Sequence, residues 1–147
     1  METFSGRCHC GNVAMSLETA KLPEELPLRA CGCSFCRKHG ARTTSDPEGR
    51  AQIIVADPAR LIRYRFAQAT ADFLVCGACG VYVAAVLSDP GAAFAVLNVN
   101  ALDERERFAG EGRPVHYDGE GAEARRARRR QQWTPVEIVE AASAGRS

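Results

Sequence analysis

The seven cysteines of this chain fall into three blocks, Cys8-x-Cys10, Cys31-x-Cys33-x-x-Cys36 and Cys76-x-x-Cys79. A structural zinc site takes four ligands in a closed tetrahedron, and a Cys-x-x-Cys pair across a tight turn is the usual half of one. Cys76-Gly77-Ala78-Cys79-Gly80 has the glycines that let such a knuckle bring backbone N–H groups to the sulfurs. Cys8 and Cys10 supply the other half. In an extended strand, residues two apart share a face, so both thiols would reach one metal while His9 points away. Two plus two closes one site; the alternative is a set of unliganded buried thiols.

Cys31, Cys33 and Cys36 remain, three thiols within six residues. Three protein ligands with a fourth position left to water or substrate is the catalytic pattern, because only an open ion can bind and polarise a substrate atom. Three thiolates give a zinc unit one net negative charge, and Arg37, Lys38 and Arg42 follow at once to offset it. Two other readings stand beside this one. His39 could close the site as a fourth ligand, or the three thiols could serve redox chemistry without metal.

The rest of the composition narrows the class. The chain has 147 residues, 46% hydrophobic and 25% charged, with 19 Lys and Arg against 18 Asp and Glu. That excludes a disordered chain, a collagen, a coiled coil and a polyanion binder driven by net charge. The first residues lack the apolar run of a secretory leader. The longest apolar stretch, 81–102, is cut by Ser88-Asp89-Pro90-Gly91 and cannot span a bilayer. The expected location is the cytoplasm, where thiols stay reduced, and an odd cysteine count fits pairwise disulfides poorly.

The elements that must position these thiols read as short strands with frequent turns. Strands are expected at Val13–Leu17, Ile53–Val55, Leu61–Phe66, Phe73–Val75, Val81–Leu87, Ala92–Val99 and Val136–Val139. Ile62, Tyr64 and Phe66 fall on one face of theirs, with Arg63 and Arg65 opposite. Residues 21–27, with Pro23 and Pro27, read as a loop. One helix is expected, Ala122–Gln132, ended by Trp133-Thr134-Pro135. Parallel βαβ units are not expected, since no crossover helices lie between strands. The tail after Ala141 reads as frayed.

Two polar features are less specific. His116-Tyr117-Asp118 could furnish an acid, a base or a substrate hydrogen bond, but reads first as a turn before Gly119. Arg125, Arg126, Arg128, Arg129 and Arg130 read first as a solvated helix face. Their sharper reading is a clamp for a carboxylate-bearing ligand or an acidic partner, since Arg grips carboxylates bidentately.

Gly6-Arg7-Cys8-His9-Cys10-Gly11, Cys31-Gly32-Cys33-Ser34-Phe35-Cys36-Arg37-Lys38 and Cys76-x-x-Cys79-Gly80, in that order, resemble the glutathione-dependent formaldehyde-activating enzyme (GFA) family. The resemblance covers residues 4 to about 117 of a single domain spanning 1–147, with a helix and last strand at about 120–140 beyond the shared core. It implies a mainly β chain, a complex β fold of small antiparallel sheets around a structural zinc, to which the Arg-rich helix read from the residues adds one C-terminal helix. It implies two zinc ions per chain, a structural one at Cys8, Cys10, Cys76 and Cys79 and a catalytic one at Cys31, Cys33 and Cys36. The family's activity joins formaldehyde to the thiol of glutathione, formally a carbon–sulfur lyase running in reverse. The expected partners are thus a small thiol and an aldehyde, with Arg37 and Lys38 holding substrate carboxylates, and neither membrane nor nucleic acid. The rival expectation is a zinc-stabilised binding module whose Arg-rich helix contacts a protein or RNA.

Overall fold

The computed structural model describes residues 1–66, 68–117 and 119–141. The tail after Ala141 and Asp118 therefore lie outside the described residues. The described residues form eleven strands: β1 (Glu2–Arg7), β2 (Val13–Thr19), β3 (Arg29–Cys31), β4 (Thr43–Thr44), β5 (Arg50–Val55), β6 (Leu61–Tyr64), β7 (Asp72–Cys76), β8 (Tyr82–Asp89), β9 (Ala92–Asn98), β10 (Arg113–Val115) and β11 (Thr134–Glu140). Two α-helices join them, α1 (Ser34–His39) and α2 (Ala122–Gln132). The mainly β class and the long C-terminal helix match the expectation from sequence.

The strands join in one hydrogen-bonded network rather than in separate small sheets. β11 makes the join. Its first residues pair antiparallel with β9, at Thr134↔Ala95, and its remainder runs parallel to β5, from Val136↔Ala51 to Glu140↔Val55. On one side lie β5, β2 and β1, all antiparallel. On the other, β9 pairs with β8 and β4. β8 leads outward to β7 and β6, and β4 leads to β3 and β10. Two pairings are parallel without any βαβ unit, because the chain between the partners passes through other strands of the network.

Alternation supplies the core. Phe4, Val13, Leu17, Ile53 and Val55 point inward from β1, β2 and β5 and meet Leu74, Val83 and Leu97 from the other side. β6 differs from expectation. It ends at Tyr64, and Ile62 and Tyr64 are nearly half exposed because β6 is an edge strand. Arg63 and Arg65 do share the other face, where both pair with Asp72.

α1 was not expected from the sequence. Cys33 caps it, its Sγ accepting the Cys36 N–H at 3.4 Å, and Gly40 ends it with its amide on the Cys36 and Arg37 carbonyls. Its last turn carries Arg37, Lys38 and His39, which suit the negative end of a helix. With six residues it is too short to show an apolar period.

Candidate metal centres

The structure divides the seven thiols as the spacing does. The sulfurs of Cys8, Cys10, Cys76 and Cys79 all lie within 4.8 Å of one another, and so do those of Cys31, Cys33 and Cys36. A tetrahedral ion with Zn–S bonds near 2.3 Å sets its sulfurs about 3.8 Å apart. Cys8 Sγ lies 3.8 Å from Cys10 Sγ, which lies 3.6 Å from Cys76 Sγ, so the four-thiol group has the dimensions of an occupied site.

Two similar turns build that group. Cys8 follows β1, and its N–H bonds Val13 O at 2.8 Å while the Val13 N–H reaches back to Cys8 Sγ at 3.3 Å. Cys76 ends β7, and its N–H bonds Val81 O at 3.0 Å while the Ala78 N–H approaches Cys76 Sγ at 3.4 Å. Gly11 and Gly80 close the two turns at φ +89° and +83°, which an L side chain adopts only with strain. Cys8-x-Cys10 is thus a turn, and the extended strand expected there is corrected. The turn brings both sulfurs to one point by curvature instead of by alternation, and leaves His9 exposed.

The group is sunk at one end and open at the other. Cys8 and Cys76 are buried within the main core, Cys79 is half-buried and Cys10 is exposed. Burial pushes the Cys8 thiol up to about 11. Burial also works against the Cys79 thiolate, but the Cys10 and Val81 amides and the Cys76 and Cys8 thiols outweigh it and bring Cys79 to about 6.

The three-thiol group sits at a corner of strand and helix. Cys31 ends β3, Cys33 caps α1 and Cys36 lies in its first turn. Hydrogen bonds from Cys31 and Cys36 hold Cys33 as a thiolate, at about 2. The same contacts push the Cys31 and Cys36 thiols upward. Three sulfurs crowd around one negative charge, an arrangement that a divalent cation would relieve. Among the described residues no His, Asp or Glu joins the three. His39 instead packs against Phe35, with ring centroids 4.5 Å apart and the rings tilted by 42°.

These thiols line a cleft of about 110 Å³. Phe66, Phe73, Tyr82 and Trp133 form its apolar walls. Tyr82 is fully buried, and burial followed by the neighbouring thiols pushes its phenol well above the ordinary range, so it keeps its proton. His116 follows β10, which runs parallel to β3, and its ring lies directly on Gly32. A Cβ at Gly32 would overlap that ring.

Three arginines of α2 line the same cleft, Arg125, Arg128 and Arg129, together with Arg29 of β3. The helix therefore does not present these three to solvent as a simple charged face. Arg128 holds both oxygens of Glu120, at 3.1 and 3.0 Å, and lies over the Tyr117 ring. Arg125 Nε is 3.3 Å from the same carboxylate. Arg128, followed by the other arginines, holds the Glu120 carboxyl below its usual range despite partial burial. Arg129 is buried, stacks on Trp133 and donates to Thr70 Oγ1 at 2.7 Å. Desolvation, then Arg128 and Arg125, lowers its guanidinium to about 10.

The other cations named from the sequence lie elsewhere. Arg37 is exposed, donates to Gly32 O at 2.9 Å and borders a second hollow on the far side of the thiols. Lys38 is exposed on α1. Arg42 braces the loop around Phe108 and Gly110 through their carbonyls, at 2.9 and 2.8 Å. Arg29 and Tyr82 carry no motif that would mark them in the sequence, and His116 reads there as part of a turn.

A mainly β network carries two cysteine groups, one of four thiols and one of three, each of which could hold a metal ion. The chain belongs to the glutathione-dependent formaldehyde-activating enzyme (GFA) family, whose model matches residues 3–116. The match ends just before α2. A crystal structure of a Rhodobacter sphaeroides protein is similar, at 31% identity over 67% of this chain and 87% of that one, with a TM-score of 0.49. No curated protein matches the chain. Among the described residues no helix is long and apolar enough to cross a membrane.

Proposed function

We propose that this chain is a zinc-dependent carbon–sulfur lyase of the GFA type, acting in the cytoplasm on the adduct of a small thiol and an aldehyde, such as S-hydroxymethylglutathione. The observation that supports this reading most is the contrast in donor number: one group has four thiols, whereas the other has three and opens on a cleft. Cys8, Cys10, Cys76 and Cys79 would hold a structural ion, and Cys31, Cys33 and Cys36 a catalytic one. Such a zinc supplies Lewis acidity, which favours thiolate over thiol and draws charge from a carbonyl oxygen.

In the joining direction the thiol gives up its S–H proton and its sulfur forms the C–S bond to the aldehyde carbon. The C=O π pair moves to oxygen, which takes up a proton; the lyase direction reverses each step. His116, which rests on Gly32 and lines both hollows, would carry that proton. Tyr82, held as a phenol, can donate to an oxygen in the cleft. Arg37 and Lys38, exposed on α1, would meet ligand carboxylates that extend beyond the cleft.

The test is formaldehyde plus glutathione followed by NMR, with and without enzyme. Adduct formation faster than the spontaneous reaction is expected. No acceleration would remove this substrate pair.

A further inference from the structure

A second set of groups lines the cleft. Four guanidiniums line it, from Arg29, Arg125, Arg128 and Arg129, and among the described residues no acidic side chain does. Glu120 answers only two of them, Arg125 and Arg128. Arg29 and Arg129 have neutral partners, the hydroxyls of Ser45 and Thr70.

Arg129 is the most under-supplied. It is 8% exposed, and a guanidinium offers five N–H donors. Among the described residues its buried Nε has no hydrogen-bond partner. An unpaired buried charge is costly, and an anion in the cleft would offset that cost. Trp133 beneath the guanidinium holds it in place, so the group is preorganised.

We infer that Arg129, supported by Arg29, Arg125 and Arg128, forms an anion subsite that binds the carboxylate of a small substrate whose other end reaches Cys31, Cys33 and Cys36. The planar guanidinium fork matches a carboxylate in two parallel hydrogen bonds. The cleft offers about 110 Å³, against roughly 150 Å³ for a cavity that takes benzene, so the part of a ligand held inside it is short. Three of the four arginines come from α2, which lies beyond the family match at 3–116. The three thiols and Arg29 therefore lie within the family match, and Arg125, Arg128 and Arg129 lie beyond it. The inference rests on the proposed lyase reading for what happens at the three thiols, but the subsite itself does not depend on it.

The test uses butyrate and butyramide, which share a shape, differ in charge and contain no sulfur. Trp133, the single tryptophan of the chain, lines the cleft and reports occupancy by its fluorescence. Butyrate is expected to bind the zinc-loaded protein about tenfold tighter than butyramide or more. Arg129→Met should abolish that preference, and Arg126→Met, which changes an arginine outside the cleft lining, should keep it. Should Arg129→Met not fold, Arg129→Lys keeps the charge without the fork and should lose several-fold. Equal binding of the two probes, binding of neither, a preference that survives loss of the Arg129 fork, or tighter binding of inorganic phosphate than of butyrate would each overturn the proposal. Preference for butyrate without formaldehyde–glutathione catalysis removes that substrate pair and leaves the subsite, and catalysis without the preference breaks the subsite alone.

Discussion

The two cysteine groups use the same ligand chemistry in opposite surroundings. Cys8 and Cys76 lie within the main core, in turns that follow β1 and β7, strands far apart in the order of the sheet. Their group can therefore tie together hairpins that otherwise meet only through packing. Cys31, Cys33 and Cys36 lie against a smaller cluster around Tyr82, at the corner of β3 and α1, and face arginines and aromatic rings across a cleft. A completed donor set in a core can only hold the fold, whereas an incomplete one beside a cleft can exchange its last ligand. In the proposed function, position in the sheet, more than residue type, separates scaffold from chemistry.

The contrast breaks most visibly at Cys76. Structural zinc contributes about 10–16 kcal/mol to folding of small domains, against a total stability of about 5–15 kcal/mol. Cys76→Ser should therefore leave no cooperative thermal transition by circular dichroism. Cys33→Ser should fold, lose one metal and lose lyase activity; equal unfolding of the two variants would favour a purely structural role for both groups.

Chelation sharpens the same comparison with no mutation. Titration with a chelator should first remove the metal at the three-thiol group, abolishing activity while the melting transition persists. Unfolding should come only with loss of the second. Simultaneous loss of both metals and of the fold would deny the distinction.

The smallest effect is expected at Gly32. A Cβ there displaces the His116 ring, and overpacking of this kind costs about 1–3 kcal/mol. Gly32→Ala should keep both metals, lower the melting temperature modestly and reduce kcat. Unchanged kcat would remove His116 from the proton path.

Much of this arrangement was legible in the residues, and the failures have physical causes. β2, β5, β7, β8, β9 and β11 announce themselves by alternation or β-branched runs, and α2 runs over the expected residues, Ala122–Gln132. β1 shows no alternation to read, because one of its two buried positions is Gly6, which gives no hydrophobic signal. β4 has two residues and β10 carries Pro114 on an edge, so neither has a pattern to read. The parallel pairing of β5 with β11 joins residues more than eighty apart with no crossover helix to betray it. At the site, the cysteine partition followed from spacing because each half-site is local. The arginine wall did not, because the orientation of α2 is set by tertiary contacts such as Arg129 with Thr70 and Arg130 with Asp89.

Metal content tests the division into a closed and an open centre most directly. Elemental analysis of the purified chain should give two zinc ions per molecule, and one in a folded Cys33→Ser variant. One zinc per wild-type chain, or two retained after Cys33→Ser, would contradict it.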